Sequence, residues 1–353
     1  MVHGMEPVER ESESIRLAVV GAGAIGGVVA AFLARAGWDL EVVCKHQETV
    51  NQALSPGFHI SGVRGEYTIP LRGVKEIRDL SGHKDLVFLA TKANDAMEAS
   101  QALLPFLKES SAVVSLQNGI CEDVLAEILG RNRVIGCVVA WGASMHGPGE
   151  LEITSEGEFV IGCLDGQSKA RLPLIKRILD ALAPTRISEN IMGELYSKLI
   201  INSCINSLGV IAGKRLGELL AMKRARLVFV AIMREAMAVA VAMGIKVEPG
   251  GGGKLDYYRF LDGGGALSQM KRDLFIRIIG FKYRRIKSSS LQSLERGRKT
   301  EIDYLNGYIC ARGRKHGVPT PTNDAVVRMV KEIEEGQREM TPENLTDPVF
   351  ADL

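Results

Sequence analysis

The chain of 353 residues carries almost no excess charge: 44 lysines and arginines stand against 42 acids, for a formal net charge of +2. Neither nucleic acid nor an anionic membrane is therefore implied as a general partner. Patterned cysteines are also lacking. The six, at 44, 121, 137, 163, 204 and 310, form no C-x-x-C pair and sit mostly among apolar neighbours. That argues for reduced, structural thiols in a cytoplasmic protein, with no disulfide framework and no metal site. An uninterrupted apolar run of membrane length is missing as well, because the most apolar long stretch, 227–245, is broken by Arg234 and Glu235. Such a pair is costly at mid-bilayer and unremarkable on a soluble helix. Residues 1–14 hold acids and no apolar run, so they are expected to be a disordered extension and not a signal peptide.

What is present suits a large core. With 46% hydrophobic and 24% charged residues, the chain is long enough for two domains. A short apolar run, 15–20, leads at once into Gly21-Ala22-Gly23-Ala24-Ile25-Gly26 and then a helical pattern to Ala36. This is G-x-G-x-x-G in the setting it needs: Gly21 for the turn, Gly23 for close approach of a pyrophosphate, Gly26 for helix-to-strand packing. Unpaired N–H groups at the helix start then face phosphates. The alternative is a plain glycine-rich turn.

The second strand pattern, 39–44, decides between dinucleotides. Counting along the chain lands on Glu41 as a ribose-binding acid, yet Glu41 lies inside the run, and the strand's carboxyl end offers Cys44 and Lys45. A cation without an acid suits a 2′-phosphate, so NADP(H) is expected over NAD(H), unless Lys45 is merely a solvated loop residue. Further strand patterns at 86–90 and 112–116 end at Lys92 and at Gln117-Asn118-Gly119, on the edge where open α/β sheets bind ligands. Turn formation is the competing role for both. Strands near 133–140, 149–154, 158–162 and 185–188, with a helix near 168–182, complete the expected domain.

From 190 onward the pattern is helical. Gly193 to Asn206 sets Lys198, Asn202 and Asn206 four residues apart among Leu199, Ile200, Ile201 and Ile205. On a helix that spacing makes one row of an ammonium and two amides, able to hold a polar ligand. A snorkelling lysine on an amphipathic helix is the bland reading. The whole pattern predicts an α/β fold, with an N-terminal Rossmann-type doubly wound parallel sheet and an all-helical C-terminal domain. The expected bounds are 15–189, 190–340 and a tail at 341–353.

In four blocks the chain resembles the ketopantoate reductases, the 2-dehydropantoate 2-reductases of pantothenate biosynthesis. They are the glycine loop, Gln117-Asn118-Gly119, Glu194 to Leu199 with Asn202 and Asn206, and Thr300-Glu301-Ile302-Asp303-Tyr304-Leu305-Asn306-Gly307. The segment 314–323 also looks like that family's closing helix boundary. The resemblance implies NADPH-dependent reduction of a small 2-oxo acid, with Lys198 catalytic and Glu301 orienting the substrate. It places Asn118, Asn202, Asn206 and Ser289 around the substrate, Lys92 near the nicotinamide ribose and Lys45 at the 2′-phosphate. Hydride arriving at a ketone carbon leaves charge on oxygen, which a protonated lysine stabilises most in the transition state. A nearby Glu301 would keep Lys198 protonated against burial. A surface acid on a helix from Thr300 to Lys315 is the alternative for Glu301.

The chain also departs from that family. Leu291-Gln292-Ser293 stands where Leu-Gln-Asp is common, glycine clusters occur at 250–253 and 263–265, and 271–287 holds seven basic residues against Asp273 alone. The basic segment reads as a solvated helix face or as a rim selecting a more acidic substrate, and the acids near 332–335 as a solvated helix end. Two other functions stay open: an NADPH-dependent reductase of the same fold acting on another 2-oxo acid or ketone, and an NADP(H)-binding sensor without turnover, against which the joint presence of Lys198 and Glu301 argues. A homodimer is compatible with the sequence, which does not specify the oligomeric state.

Overall fold

The computed structural model describes residues 15–166, 168–351 and 353, so the expected extension at 1–14 lies outside it. The chain divides into two compact units, Met1–Gln117 with Cys121–Ile191, and Asn118–Ile120 with Met192–Leu353.

The first unit holds strands β1 (Leu17–Val20), β2 (Leu40–Val43), β3 (Phe58–Gly62), β4 (Tyr67–Ile69), β5 (Arg72–Val74), β6 (Lys84–Leu89), β7 (Leu107–Ser115), β8 (Val134–Val139), β9 (Gly142–Gly147), β10 (Glu150–Ser155), β11 (Phe159–Cys163) and β12 (Thr185–Ile187). Its helices are α1 (Ala24–Arg35), α2 (Gln47–Leu54), α3 (Ala96–Leu103), α4 (Glu122–Leu129) and α5 (Leu172–Leu179). Eight strands form one sheet in the order β12-β11-β8-β7-β6-β1-β2-β5. From β8 to β5 every neighbouring pair is parallel, while β11 runs antiparallel to β8. Helices cover both faces of such a sheet, which is why β1 is buried at all four positions and Val87, Phe88 and Leu89 are fully enclosed. The strand order reverses between β1 and β6, so the crevice beyond their carboxyl ends is the switch point where ligands of this architecture bind.

A second sheet, in the order β4-β3-β10-β9, was not expected from the sequence. The strand anticipated near 149–154 is β10, and it belongs here, pairing antiparallel with β9 and parallel with β3. Helix α1 packs against both sheets through adjacent glycines. A Cβ on Gly26 would lie 2.7 Å from the Ala90 Cβ on the main-sheet side, and one on Gly27 would lie 2.6 Å from Leu151 Cδ1 of β10. Burial therefore runs unbroken from Gly26 to Leu33 instead of following one stripe. The helix expected near 168–182 is a 3-10 turn, Ser168–Arg171, followed by α5, with a proline in the first turn of α5.

The second unit is helical: α6 (Ile191–Ala212), α7 (Leu216–Ala221), α8 (Lys223–Ala242), α9 (Gly250–Gly253), α10 (Tyr257–Leu261), α11 (Ala266–Lys282), α12 (Ser289–Glu295), α13 (Asn306–His316) and α14 (Pro321–Glu334). The segment α9 is a glycine turn, with φ of 62° at Gly251 and 69° at Gly252. Among the described residues one helix, α6, is long and apolar enough to cross a membrane by length and composition, and 78% of its most apolar window is buried within the protein. On α8, Glu235 accepts the backbone N–H groups of Thr322 and Asn323 at 2.8 and 2.9 Å, capping the first turn of α14. Residues 342–350 fold as two 3-10 turns with Leu345 and Phe350 fully buried, and Asn344 Nδ2 donates to Ile211 O at 2.9 Å.

Candidate functional site

The glycine loop closes the carboxyl end of β1. Gly21 has φ 104°, and a Cβ there would lie 2.8 Å from the backbone of Ala90 and Thr91, so only glycine fits between the ends of β1 and β6. A Cβ on Gly26 would lie 2.0 Å from Gly21 O, whereas nothing lies within 4 Å of the position a Cβ on Gly23 would take. That open space lies at the start of α1, where Gly23 is the N-cap without a side-chain hydrogen bond, and Gly23 O accepts the first helical bond from Gly27 N at 2.8 Å. The preceding N–H groups, of Ala24, Ile25 and Gly26, are those that α-helical bonding leaves for an anion.

At the next strand end the two rival residues have different roles. Glu41 is buried inside β2, where Lys84 and the Ser81 N–H and hydroxyl bond it, the last two at 3.1 and 2.9 Å. Its partner Lys84 opens β6, at the amino end of the sheet, opposite the ligand edge. Burial pushes the Glu41 carboxyl up, and Lys84 and Ser81 together outweigh that and hold it below the ordinary range. Lys45 follows β2 and is exposed, with Asp95 Oδ2 at 3.7 Å. Asp95 ends the 3-10 turn Ala93–Asp95, whose N-cap is the exposed Lys92. Lys45, Lys92 and the glycine loop thus share the carboxyl edge of the main sheet, together with an acid that strand-end reasoning did not register.

In the second unit the row on α6 forms as the spacing implies. Lys198 and Asn202 are half-buried and Asn206 is buried. Ser289 Oγ reaches Asn206 Oδ1 at 3.4 Å, which links α12 to the row. The hydroxyl of Ser293 donates to Ser289 O at 3.0 Å, a bond that a carboxylate at 293 could not make. The Asn118 turn joins this unit too. Gly119 has φ 82°, and a Cβ there would lie 2.4 Å from Tyr304 O, so the turn lies directly on the segment that carries Glu301. Glu301 itself is 7% exposed and precedes a 3-10 turn, Ile302–Tyr304, while α13 begins only at Asn306. A surface position on a helix from Thr300 is thereby excluded. The flanking backbone is tied at 300 and 302: Thr300 N–H donates to Glu334 at 2.6 Å, and Ile302 N–H to Thr300 Oγ1 at 3.2 Å. Glu334 is consequently not part of a solvated acidic end. Among the described residues there is no cluster of His, Cys, Asp or Glu suited to a metal, and all six thiols are free.

One buried polar group escaped sequence reasoning. Glu122 opens α4 at 1% exposure, and neither carboxylate oxygen has a hydrogen-bond partner in good geometry. Burial pushes its carboxyl up to about 7, with the N–H groups of Glu122 and Cys121 and the Ser115 hydroxyl pulling the other way. Ser115 Oγ donates to Gln117 Oε1 at 2.7 Å, and Gln117 Nε2 to Thr91 Oγ1 at 3.3 Å. The carboxyl therefore adjoins a polar chain ending beside Lys92. An acid next to a strand end was the available signal.

Known proteins match this arrangement over most of the chain. Residues 17–166 match the family described as Ketopantoate reductase PanE/ApbA, and 190–334 match its C-terminal part. The 2-dehydropantoate 2-reductase of Aquifex aeolicus is 28% identical over 90% of this chain and 96% of its own length, and that of Archaeoglobus fulgidus is 25% identical over 91% and 98%. A crystal structure of a PanE/ApbA family ketopantoate reductase from Ralstonia eutropha superposes with a TM-score of 0.78 at 30% identity, covering 92% of this chain and 99% of that one. D-mandelate dehydrogenase, in its ternary structure with NADH and anilino(oxo)acetate, gives a TM-score of 0.78 at 25% identity, also covering 92% and 99%. With its glycine loop at the β1–β6 switch point and its helical second half both matched, this chain belongs to the PanE/ApbA ketopantoate reductase family of oxidoreductases.

Proposed function

We propose that this protein reduces 2-dehydropantoate to (R)-pantoate with NADPH, in the cytoplasm, as a step of pantothenate biosynthesis. The observation that carries the reading is the α6 row, Lys198, Asn202 and Asn206, in a family member that also retains a buried Glu301. The loop fits a dinucleotide, since a side chain is sterically refused at Gly21 and Gly26 while the space above Gly23 is open to a pyrophosphate. Gly21 to Gly26 would hold that pyrophosphate, Lys92 the nicotinamide ribose and Lys45 the 2′-phosphate. When bound, the nicotinamide supplies hydride to the ketone carbon.

The chain's own residues do the rest. Lys198 as an ammonium stabilises the charge growing on the ketone oxygen and delivers the proton there. Asn118, Asn202, Asn206 and Ser289 offer amides and a hydroxyl that grip the carboxylate and hydroxyl of a small anion without adding charge. Glu301 accepts from the substrate hydroxyl, and its burial in a tied, non-helical segment keeps the carboxylate aimed.

A second reading, NADH-dependent reduction of another 2-oxo acid, is favoured by Asp95 beside Lys45, because an acid there repels a 2′-phosphate and can accept from a ribose hydroxyl. Steady-state rates for a panel of 2-oxo acids with each nicotinamide separate the two. Glu301→Gln should lower kcat/KM more for 2-dehydropantoate than for 2-oxo-3-methylbutanoate, which lacks the hydroxyl. Equal losses would remove Glu301 from substrate recognition, and equal rates of the unmodified enzyme on both acids would favour the second reading.

A further inference from the structure

Away from every residue discussed as catalytic, α8 and α11, with Leu353, line an open cavity of about 200 Å³. Its lining includes three arginines, Arg226, Arg234 and Arg272, against one acidic side chain, Asp273, together with Leu353, whose main-chain oxygen accepts from Arg224 Nη1 at 3.4 Å. Arg226 is satisfied: its Nε donates to Asp273, and its Nη1 to Leu220 O and Ala221 O at 2.9 and 2.6 Å. Arg272 is different. It is 7% exposed, and Nη1 donates to Asp262 O and Gly263 O at 3.1 and 3.3 Å, but among the described residues no carboxylate pairs with it. Arg234, exposed at the same cavity, has no ion-pair partner among the described residues either, and burial together with the Arg234 charge holds the Arg272 guanidinium below its ordinary range.

Two guanidinium groups lining one cavity, neither ion-paired among the described residues and one of them buried, make an arrangement that folding alone does not favour. An anion placed between them relieves both the desolvation and the repulsion, and planar guanidinium groups suit the two oxygens of a carboxylate. The rest of the lining is mostly hydrocarbon, from Leu227, Val230, Ala231 and Ile276. The volume is below the usual range of ~300–1,000 Å³ for ligand pockets, which restricts the occupant to a small molecule. We propose that the α8–α11 cavity binds a small organic carboxylate, with Arg234 and Arg272 on the oxygens and the α8 and α11 side chains on a short alkyl group. None of Lys198, Asn202, Asn206, Ser289 and Glu301 lines it, so this is a second carboxylate site.

The test uses full-length protein and three probes, 3-methylbutanoate, 3-methylbutan-1-ol and inorganic phosphate, followed by calorimetry or ligand-observed NMR. Saturable binding of 3-methylbutanoate that persists in Lys198→Ala, weakens about tenfold or more in Arg234→Gln, and exceeds both the alcohol and phosphate is the expected result. Arg234 is exposed, so its replacement should leave folding intact, as thermal unfolding would verify. Arg272→Lys keeps the charge but loses the planar fork, and should weaken binding as well. Absence of saturable binding, binding abolished by Lys198→Ala, full affinity in Arg234→Gln, or equal affinity for the alcohol or for phosphate would each overturn the assignment.

Discussion

Replacing Glu41 by Gln separates a structural carboxylate from a cofactor ligand. Glu41 and Lys84 are both buried, with side chains 7% and 3% exposed, and the pair is completed by the Ser81 N–H and hydroxyl. Loss of the carboxylate charge leaves the Lys84 ammonium enclosed at the amino end of β6, with only an amide oxygen and Ser81 O to receive it. Breaking one side of a buried pair costs about 3–5 kcal/mol, set against the ~5–15 kcal/mol that holds a typical domain together. At roughly 2–4 °C per kcal/mol for a domain of this size, the melting temperature should fall by about 6–20 °C. The pH dependence has a definite sign. The folded-state pKa is lowered, so the stabilisation is present above the unfolded value of 4.5 and is lost as pH falls through the folded one, and Glu41→Gln should flatten that acid limb. The double change Glu41→Leu with Lys84→Met should recover most of the loss, because it removes both charges. Thermal unfolding from pH 3 to 8, with KM for NADH and NADPH measured on the same samples, checks this. An unshifted melting temperature together with a KM for NADH raised tenfold would refute the structural assignment and return Glu41 to the ribose.

Lys198→Ala should lower kcat by about 10²–10³, as for loss of one preorganised donor, while leaving nicotinamide affinity nearly unchanged; near-normal turnover in the folded variant would take Lys198 out of the chemistry. Asp95→Asn should lower KM for NADPH and Lys45→Ala should raise it, with little change for NADH in the lysine variant, whereas parallel changes with both cofactors would make the pair purely structural. Glu122 shows the reverse linkage of Glu41. Its carboxyl is pushed up to about 7, so wild-type stability should decline as pH rises from 4.5 to 7, and Glu122→Gln should remove that slope and gain up to about 3 kcal/mol at pH 8. Identical urea curves at pH 6 and 8 for the wild-type protein would show that no such carboxyl is titrating.

Some of this molecule can be read from local pattern because the constraint is itself local. The demands at Gly21, Gly23 and Gly26 arise within one turn and the strand beside it, and the α6 row follows from helical periodicity alone. The second sheet is a different matter: β9 begins and ends with glycine and its only apolar residues are Ala143 and Met145, too short an alternation to announce a strand, so its place is fixed by pairing with β10. The same holds for Glu334, which looks solvated by charge count until the Thr300 N–H, 34 positions earlier in the chain, claims it. The position of Glu301 follows from such distant ties. Thr300 is anchored by Glu334, Gly119 packs on Tyr304, and Lys331 pairs with Asp303 at 2.6 Å. A helix would have placed this acid on a surface at little cost, whereas here a buried carboxylate is held by contacts drawn from two separate parts of the chain, α14 and the Asn118 turn. Each of those contacts acts within three residues of Glu301, so Glu334→Ala or Gly119→Ala should disturb the aim of the carboxylate without touching it. A loss of kcat/KM for 2-dehydropantoate larger than for its hydroxyl-free analogue is the form that disturbance should take.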